Sequence, residues 1–226
     1  MKLAKNICLG LGAAAALCAH VSAAAITIVN HSFEADTGGK VKTGFDAPGL
    51  ADVPGWSNIG AGASNADTGV QDTSPDGMDG LRSAFLLGSE PGAYNLTNYV
   101  ISTGDVFSLS WLAGNAYGSH TQKVTLFKSN DAGATRLALV TFDGVLSNAF
   151  AGNFIAGQPF LPYAMPDYTA TAADEGFLIG IQIENGGSSN SSYTGFDKFS
   201  LNVVPESGSV VLAGMAGLLG MLRRRR

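Results

Sequence analysis

The sequence has few charged residues and almost no cysteine. Asp, Glu, Lys and Arg make up 14% of its 226 residues. Its two cysteines, Cys8 and Cys18, both lie within the first 25 residues. The rest of the chain therefore contains no disulfide and must depend on a hydrophobic core. Hydrophobic residues account for 46% of the chain, which excludes a disordered protein.

Basic residues are also scarce outside the two ends of the chain. When Lys2, Lys5 and the four terminal arginines are left out, seven Lys and Arg remain against 18 Asp and Glu, a formal charge near −11 with Glu206 counted. An acidic body argues against nucleic acid or anionic lipid as a partner. It is compatible with cations and with neutral glycans.

The first 25 residues have the layout of a secretory signal peptide. Lys2 and Lys5 precede an apolar run from Ile7 to Ala19, and small residues follow at positions 22–25. We predict cleavage between Ala23 and Ile26, after export across the inner membrane by the secretion machinery.

The body, residues 26–204, shows short alternating segments separated by turns. Val106–Ala113 alternates with Phe107, Leu109 and Trp111 on one face, which indicates a half-buried strand with Trp111 in the core. Eight to ten strands are predicted in total, and no segment has a sustained helical period. The other predicted strands are Ile26–Asn30, Leu81–Leu87, Tyr94–Ser102, Lys123–Lys128, Arg136–Phe142, Phe177–Glu184 and Phe196–Val203. Residues 144–167 have no clear period and could hold one strand and a long loop.

Three local patterns give the body a recognisable order. ITIVNHSFEAD opens it and PGW follows, LTNYVISTGDVFSLSWLAG lies in the middle, and TGFDKFSLNVV closes it. This order resembles the galactose-binding-type jelly roll of many carbohydrate-binding modules. The resemblance implies an all-β fold, a single jelly-roll β-sandwich.

The same resemblance implies a structural calcium ion that ties the first strand to the last. Glu34 and Asp197 match the acid positions of that site, and hard cations prefer such oxygen ligands. The alternative is that Glu34 is a solvated loop acid and that Asp197 caps a turn. A second acidic stretch, DTSPDGMDG at residues 72–80, fits part of an EF-hand loop but has Ser83 at the twelfth position, and is better read as a cluster of turns.

Aromatic side chains are the usual stacking platforms for sugars. Trp56 follows a Pro-Gly turn, and Tyr117 and Tyr193 lie in loop-like sequence, so these three are the candidate ligand-binding residues. For each of them the alternative is a ring that covers the edge of the core.

Catalytic motifs are absent from the sequence. Only His31 and His120 lie outside the leader, and the sequence contains neither G-x-S-x-G nor H-E-x-x-H. We therefore expect that the protein is not an enzyme, with a secreted hydrolase as the alternative.

The tail, residues 205–226, has three parts. Pro205 and Glu206 come first, and an uncharged apolar run spans Val210–Leu222. The last four residues are Arg223, Arg224, Arg225 and Arg226. This order resembles the PEP-CTERM sorting signal, although Ser207 stands where that signal has its second proline.

The tail resemblance implies processing by the membrane enzyme exosortase and a link to exopolysaccharide and biofilm. A helix of 13 residues reaches about 20 Å, short of the ~30 Å hydrocarbon core, so the tail is expected to be a transient inner-membrane anchor. We expect an exported cell-surface or extracellular-matrix protein that contacts polysaccharide, with a calcium-stabilised carbohydrate-binding module as the alternative.

Overall fold

The computed structural model describes residues 22–35, 42–43, 53–59, 68–72, 78–88, 91–117, 121–145, 159–187 and 192–206. The described strands are β1 (Ala24–Ile26), β2 (Lys42–Thr43), β3 (Ser57–Asn58), β4 (Gly69–Asp72), β5 (Arg82–Leu87), β6 (Ala93–Val100), β7 (Val106–Tyr117), β8 (Thr121–Ser129), β9 (Leu137–Val145), β10 (Leu161–Ala164), β11 (Tyr168–Thr169), β12 (Leu178–Asn185) and β13 (Tyr193–Val204).

The strands form two sheets. One has the order β10-β7-β13-β5-β4-β2, with β1 also paired to β13 and β11 to β7. The other has the order β3-β6-β12-β8-β9. Residues Ala23–Pro205 form one compact unit. The predicted all-β jelly-roll sandwich is confirmed.

The core lies between the two sheets and is built by strand alternation. On β7, Phe107, Leu109 and Trp111 are each 1% exposed. Leu109 pairs with Leu201 of β13 and Phe107 pairs with Val203, so both central strands of the larger sheet present apolar side chains to the interior. The predicted core position of Trp111 is confirmed.

The first predicted strand, Ile26–Asn30, overlaps the described β1 (Ala24–Ile26) only at Ile26. β1 ends at Ile26, and Asn30 and Phe33 have φ angles of 53° and 60°. Residues in the left-handed region cannot continue an extended strand, so the chain turns here although Thr27, Ile28 and Val29 are β-branched.

The leader and the tail lie almost wholly outside the described residues, as do residues 146–158. Of the unclear stretch 144–167, residues 161–164 form β10, which pairs with β7. Within the described ranges, no helix combines the length and the hydropathy that a membrane crossing requires.

Candidate functional site

Asp197, one of the two predicted calcium ligands, lies at a bulge in β13. The β7–β13 register shifts between Asp197 and Ser200. Asp197 is fully buried there. Its Oδ2 accepts a hydrogen bond from the Asp79 amide at 2.7 Å, and its Oδ1 accepts one from the Lys198 amide at 2.7 Å.

Glu34 binds the same segment of chain from the other side. Its Oε1 accepts hydrogen bonds from the amides of Leu81 at 2.9 Å and Arg82 at 2.6 Å. Gly80 has a φ of 91°, and the Glu34 carboxyl carbon lies 2.5 Å from where a Cβ of residue 80 would be. Glu34 and Asp197 therefore hold residues 79–82 between them, and only glycine fits at position 80.

Negative charge accumulates in this acid cluster, which we define as Glu34, Asp79 and Asp197. Burial raises the pKa of Asp197 to about 7, against the lowering effect of its two amide hydrogen bonds, and the charges of Asp79 and Glu34 raise it further. The Lys198 ammonium lies 3.4 Å from Asp79 Oδ1 and offsets part of this charge.

The acid cluster offers the hard oxygen ligands and the negative charge that suit calcium. Among the described residues, no three or more His, Cys, Asp or Glu side chains are arranged as a ready metal cage. Carbonyl oxygens and water would have to complete the 6–8 ligands that calcium takes. Sequence reasoning placed Asp79 in the 72–80 cluster of turns but did not connect it with Glu34 or Asp197.

Trp56 is a core residue. It is 2% exposed, its ring lies 4.9 Å from that of Phe33 and 5.5 Å from that of Phe199, and its Nε1 donates to the Asn30 carbonyl. The expectation that Trp56 is a ligand platform is therefore corrected, because its ring has no exposed face for a sugar.

Tyr117 and Tyr193 are brought together by strand pairing. They are direct partners across β7 and β13. Tyr193 is half-buried and stacks on Phe85, with centroids 4.6 Å apart and an 18° interplanar angle. The side chain of Tyr117 lies outside the described part of the chain. Pro205 and Glu206 are exposed after β13, and Arg223 to Arg226 lie outside the described residues.

A polar surface on the smaller sheet was not predicted. Ile179, Ile181 and Ile183 of β12 are fully buried, so the alternate residues Gln182 and Glu184 point away from the core. The I-x-I-x-I alternation could have indicated this face.

Four charged and amide side chains join across that surface. Arg136 Nε donates to Gln182 Oε1 at 2.9 Å, and Gln182 Nε2 donates to Glu184 Oε2 at 2.8 Å. Lys123 Nζ lies 3.1 Å from the same Glu184 oxygen. The Arg136 guanidinium lies 4.6 Å above the Tyr94 ring. We call Tyr94, Lys123, Arg136, Gln182 and Glu184 the polar sheet face.

Two backbone contacts fix Arg136 in place. Its Nη1 donates to the Gly133 carbonyl at 2.5 Å, and its Nη2 donates to the Ile59 carbonyl at 3.1 Å. The polar sheet face is thus preorganised. The Arg136 guanidinium is anchored by two backbone carbonyls, and successive side-chain contacts join it to Gln182, Glu184 and Lys123.

No protein-family model matches the chain, and no curated protein matches it. Among solved structures, an apo cyclase from Fischerella sp. is similar at 19% identity and a TM-score of 0.59, covering 82% of this chain and 99% of that one. A Stig cyclase from Fischerella sp. TAU, in complex with an indole compound, is similar at 20% identity and 0.60, covering 82% and 100%. The CBM22-1 xylan-binding domain of Xyn10C from Paenibacillus barcinonensis aligns at 14% identity and 0.45, covering 78% and 94%.

The cyclase likeness shows a shared fold. It contradicts the prediction that the protein is not an enzyme, because solved structures that share its fold over 82% of its length belong to enzymes.

Proposed function

We propose that the protein is an exported β-sandwich that binds neutral polysaccharide on the polar sheet face and is stabilised by calcium at the acid cluster. The hydrogen-bonded row from Arg136 through Gln182 and Glu184 to Lys123 carries the proposal. Sugar hydroxyls both donate and accept hydrogen bonds, and this row presents donors and an acceptor side by side.

The row keeps hydrogen-bonding capacity for a ligand. An ammonium has three donor hydrogens and a side-chain amide has two, while a carboxylate accepts at both oxygens. Lys123 and Glu184 side chains are 37% and 26% exposed, so a ligand can reach them. Because the row is already fixed by its own contacts, little side-chain entropy is lost on binding.

A buried apolar layer lies beneath the row, since Phe127 is 0% exposed and Gly180 is buried. Gly180 has no side chain, and the Phe127 ring lies 2.3 Å from where its Cβ would be. Phe127 in turn meets the edge of Tyr94, with ring centroids 6.1 Å apart. This layer supports the Tyr94 ring, over which Arg136 lies, and so helps to fix the polar side chains that a glycan would contact.

Binding to soluble polysaccharides, measured by affinity electrophoresis, tests the proposed ligand. Glu184→Gln keeps the shape but loses the charge that holds Lys123, and we expect binding at least tenfold weaker, about 1.4 kcal/mol. Glu175→Gln is the matched control, because this exposed glutamate bonds to Thr103 away from the polar sheet face. Equal binding by both variants would refute the proposed site.

Calcium at the acid cluster is supported by the negative charge that Asp79 and Glu34 place around the buried Asp197. A bound ion would supply positive charge between Glu34, in the loop after β1, and Asp197 of β13. Calcium at 100 times its dissociation constant should add about 2.7 kcal/mol to the free energy of unfolding. Glu34→Gln and Asp197→Asn should abolish that increment, and Asp143→Asn should retain it. A melting temperature that a chelator leaves unchanged in the wild type excludes the site.

Export and tail processing by an exosortase are supported by the sequence resemblances of residues 1–25 and 205–226. Release at the tail would deliver the body to the cell surface or to an exopolysaccharide matrix. The intact mass of the exported protein tests both cleavages at once. Retention of Arg223 to Arg226 in that mass would refute processing at the tail.

A further inference from the structure

A cluster of aromatic and amide side chains closes one edge of the sandwich. Trp111 of β7 and Gln122 of β8 are almost fully buried, at 1% and 0% exposure. Phe142 of β9 and Tyr163 of β10 are half-buried, and the rings of both lie against Trp111. β9 and β10 each end the strand order of their sheet, so these two rings meet where the sheets face each other at an edge. We call these four residues the edge cluster.

The Gln122 amide has one satisfied atom and one unsatisfied atom. Its Oε1 accepts a hydrogen bond from Trp111 Nε1 at 2.8 Å. Its Nε2 has no acceptor among the residues that the structure describes. The orientation is dictated by chemistry, since an indole N–H only donates and must therefore face the amide oxygen.

A buried amide N–H₂ without an acceptor carries a desolvation cost that native proteins rarely leave uncompensated. Gln122 is 0% exposed and its amide is held against Trp111 of the edge cluster, so the unpaired hydrogens are shielded from bulk water. This buried donor is the observation that points to a ligand.

The surroundings of the donor are aromatic. The Trp111 and Phe142 rings meet edge to face with centroids 5.3 Å apart, and the Trp111 and Tyr163 planes lie within 17° at 6.2 Å. Phe142 also meets Tyr163 at 6.1 Å. The Phe142 ring lies 3.0 Å from where a Cβ of Gly144 would be, so glycine there leaves room for the ring.

We propose that the edge cluster is a binding site for a planar, uncharged aromatic molecule with a hydrogen-bond acceptor. The acceptor takes the Gln122 Nε2 hydrogens, and the ring of the ligand packs among Trp111, Phe142 and Tyr163. Phe142 and Tyr163 lie on edge strands and are only half-buried, so rotation of these two side chains is the proposed entry route. This site is separate from the polar sheet face and goes beyond polysaccharide binding.

Two probes of nearly the same shape test the proposal in the exported protein. Acetophenone has a carbonyl acceptor, whereas α-methylstyrene has a methylene group in its place. Titrations are followed by the NMR signals of the Trp111 indole N–H and the Gln122 side-chain amide. We expect acetophenone to shift both signals and to bind at least tenfold more tightly than α-methylstyrene.

Variants separate the hydrogen bond from the packing. Gln122→Met should remove the preference between the probes, whereas Gln182→Met, a glutamine change on the polar sheet face, should keep it. If Gln122→Met does not fold, Phe142→Leu serves instead, and it should weaken both probes by a similar factor.

Three outcomes would overturn the proposal. The first is the absence of any shift with acetophenone up to its solubility. The second is equal affinity of the wild type for both probes. The third is a long-lived water on Gln122 Nε2 that neither probe displaces, because an ordered water would then satisfy the donor by itself.

Discussion

Asp174 shows how a single buried carboxylate can fix a loop. It is 3% exposed. Its Oδ1 lies 2.8 Å from Lys128 Nζ, and its Oδ2 accepts from the Tyr168 hydroxyl at 2.7 Å and the Thr171 amide at 2.7 Å. Burial alone would raise the pKa of Asp174, but the Lys128 ammonium and these donors together hold it well below its usual range.

This lowered pKa sets the pH range in which Asp174 stabilises the fold. A carboxylate with a lower pKa in the folded state contributes fully above its unfolded value, near 4, and loses the contribution as the pH falls toward the folded value. Asp174→Asn should therefore cost about 3 kcal/mol at pH 7, since it removes the carboxylate paired with Lys128, whose side chain is only 13% exposed. The loss should shrink between pH 4 and pH 2.

Urea unfolding at several pH values measures this effect. Asp167→Asn, at an exposed position, is the control and should change the free energy of unfolding by less than about 0.5 kcal/mol. A loss for Asp174→Asn that is the same at pH 3 and pH 7 would contradict the assigned role.

Gly180 is a steric requirement of the polar sheet face. A Cβ there would lie 2.3 Å from Phe127 Cζ and 2.7 Å from the Asn95 carbonyl oxygen. Gly180→Ala should cost about 1–3 kcal/mol by overpacking. It should also weaken polysaccharide binding, because Phe127 and Tyr94 must shift.

The control is Gly176→Ala, where no atom lies within 4 Å of the added Cβ and only the φ of 82° is unfavourable. It should cost about 1 kcal/mol and leave binding intact. Thermal unfolding with affinity electrophoresis checks both variants, and unaltered binding by Gly180→Ala would separate Phe127 from the proposed site.

At the scale of elements, β9 is an edge strand with apolar exposure. Within the described residues it pairs only with β8, and the register shift opposite Leu126 and Phe127 places a bulge in the ladder. Leu137 and Val145, at its two ends, are 46% and 64% exposed. Edge strands of this kind tend to associate, and a bulge limits that pairing.

Val145→Lys should therefore reduce concentration-dependent aggregation on heating, with little effect on the free energy of unfolding. Leu81→Lys is the control, because Leu81 is 65% exposed but precedes β5 and lies on no edge. Light scattering over a range of concentrations measures the effect. An equal improvement from both variants would point to general surface charge and not to the edge.

Sequence patterns predicted the long strands because alternation is local. Phe107, Leu109 and Trp111 are apolar at every second position. This period identifies β7 even when the strands that pair with it are unknown. The short strands β2 to β4 could not be predicted, since two to four residues in Gly- and Asp-rich sequence form strands only through their neighbours.

The acid cluster and the polar sheet face consist of residues that only the tertiary structure brings together. The resemblance supplied Glu34 and Asp197, but the role of Asp79 depends on the turn at Gly80 and on a bulge in β13. The polar sheet face brings a hairpin arginine, Arg136, onto β12, 46 residues away along the chain. No local pattern in the sequence encodes that pairing. Trp56 was misassigned because a Pro-Gly turn looks exposed when the aromatic neighbours in the fold are unknown.

For the whole molecule, the acidic excess predicts a response to salt. Residues 26–206 have seven basic residues against 18 acids, and like charges destabilise a compact state by repulsion. Added sodium chloride screens that repulsion, with a Debye length that falls from about 30 Å at 0.01 M to about 10 Å at 0.1 M. The melting temperature of the exported protein should therefore rise over this range in the presence of a chelator, which removes any effect of calcium.

Polysaccharide binding should respond differently. A neutral glycan releases no counterions, so its affinity should be nearly constant over the same salt range, whereas an anionic polymer would show a steep change. Electrophoresis at each salt concentration distinguishes the two cases. A steep salt dependence of glycan affinity would mean that Lys123 and Arg136 recognise an acidic polymer, and the neutral ligand class would be wrong while the polar sheet face itself remained the binding site.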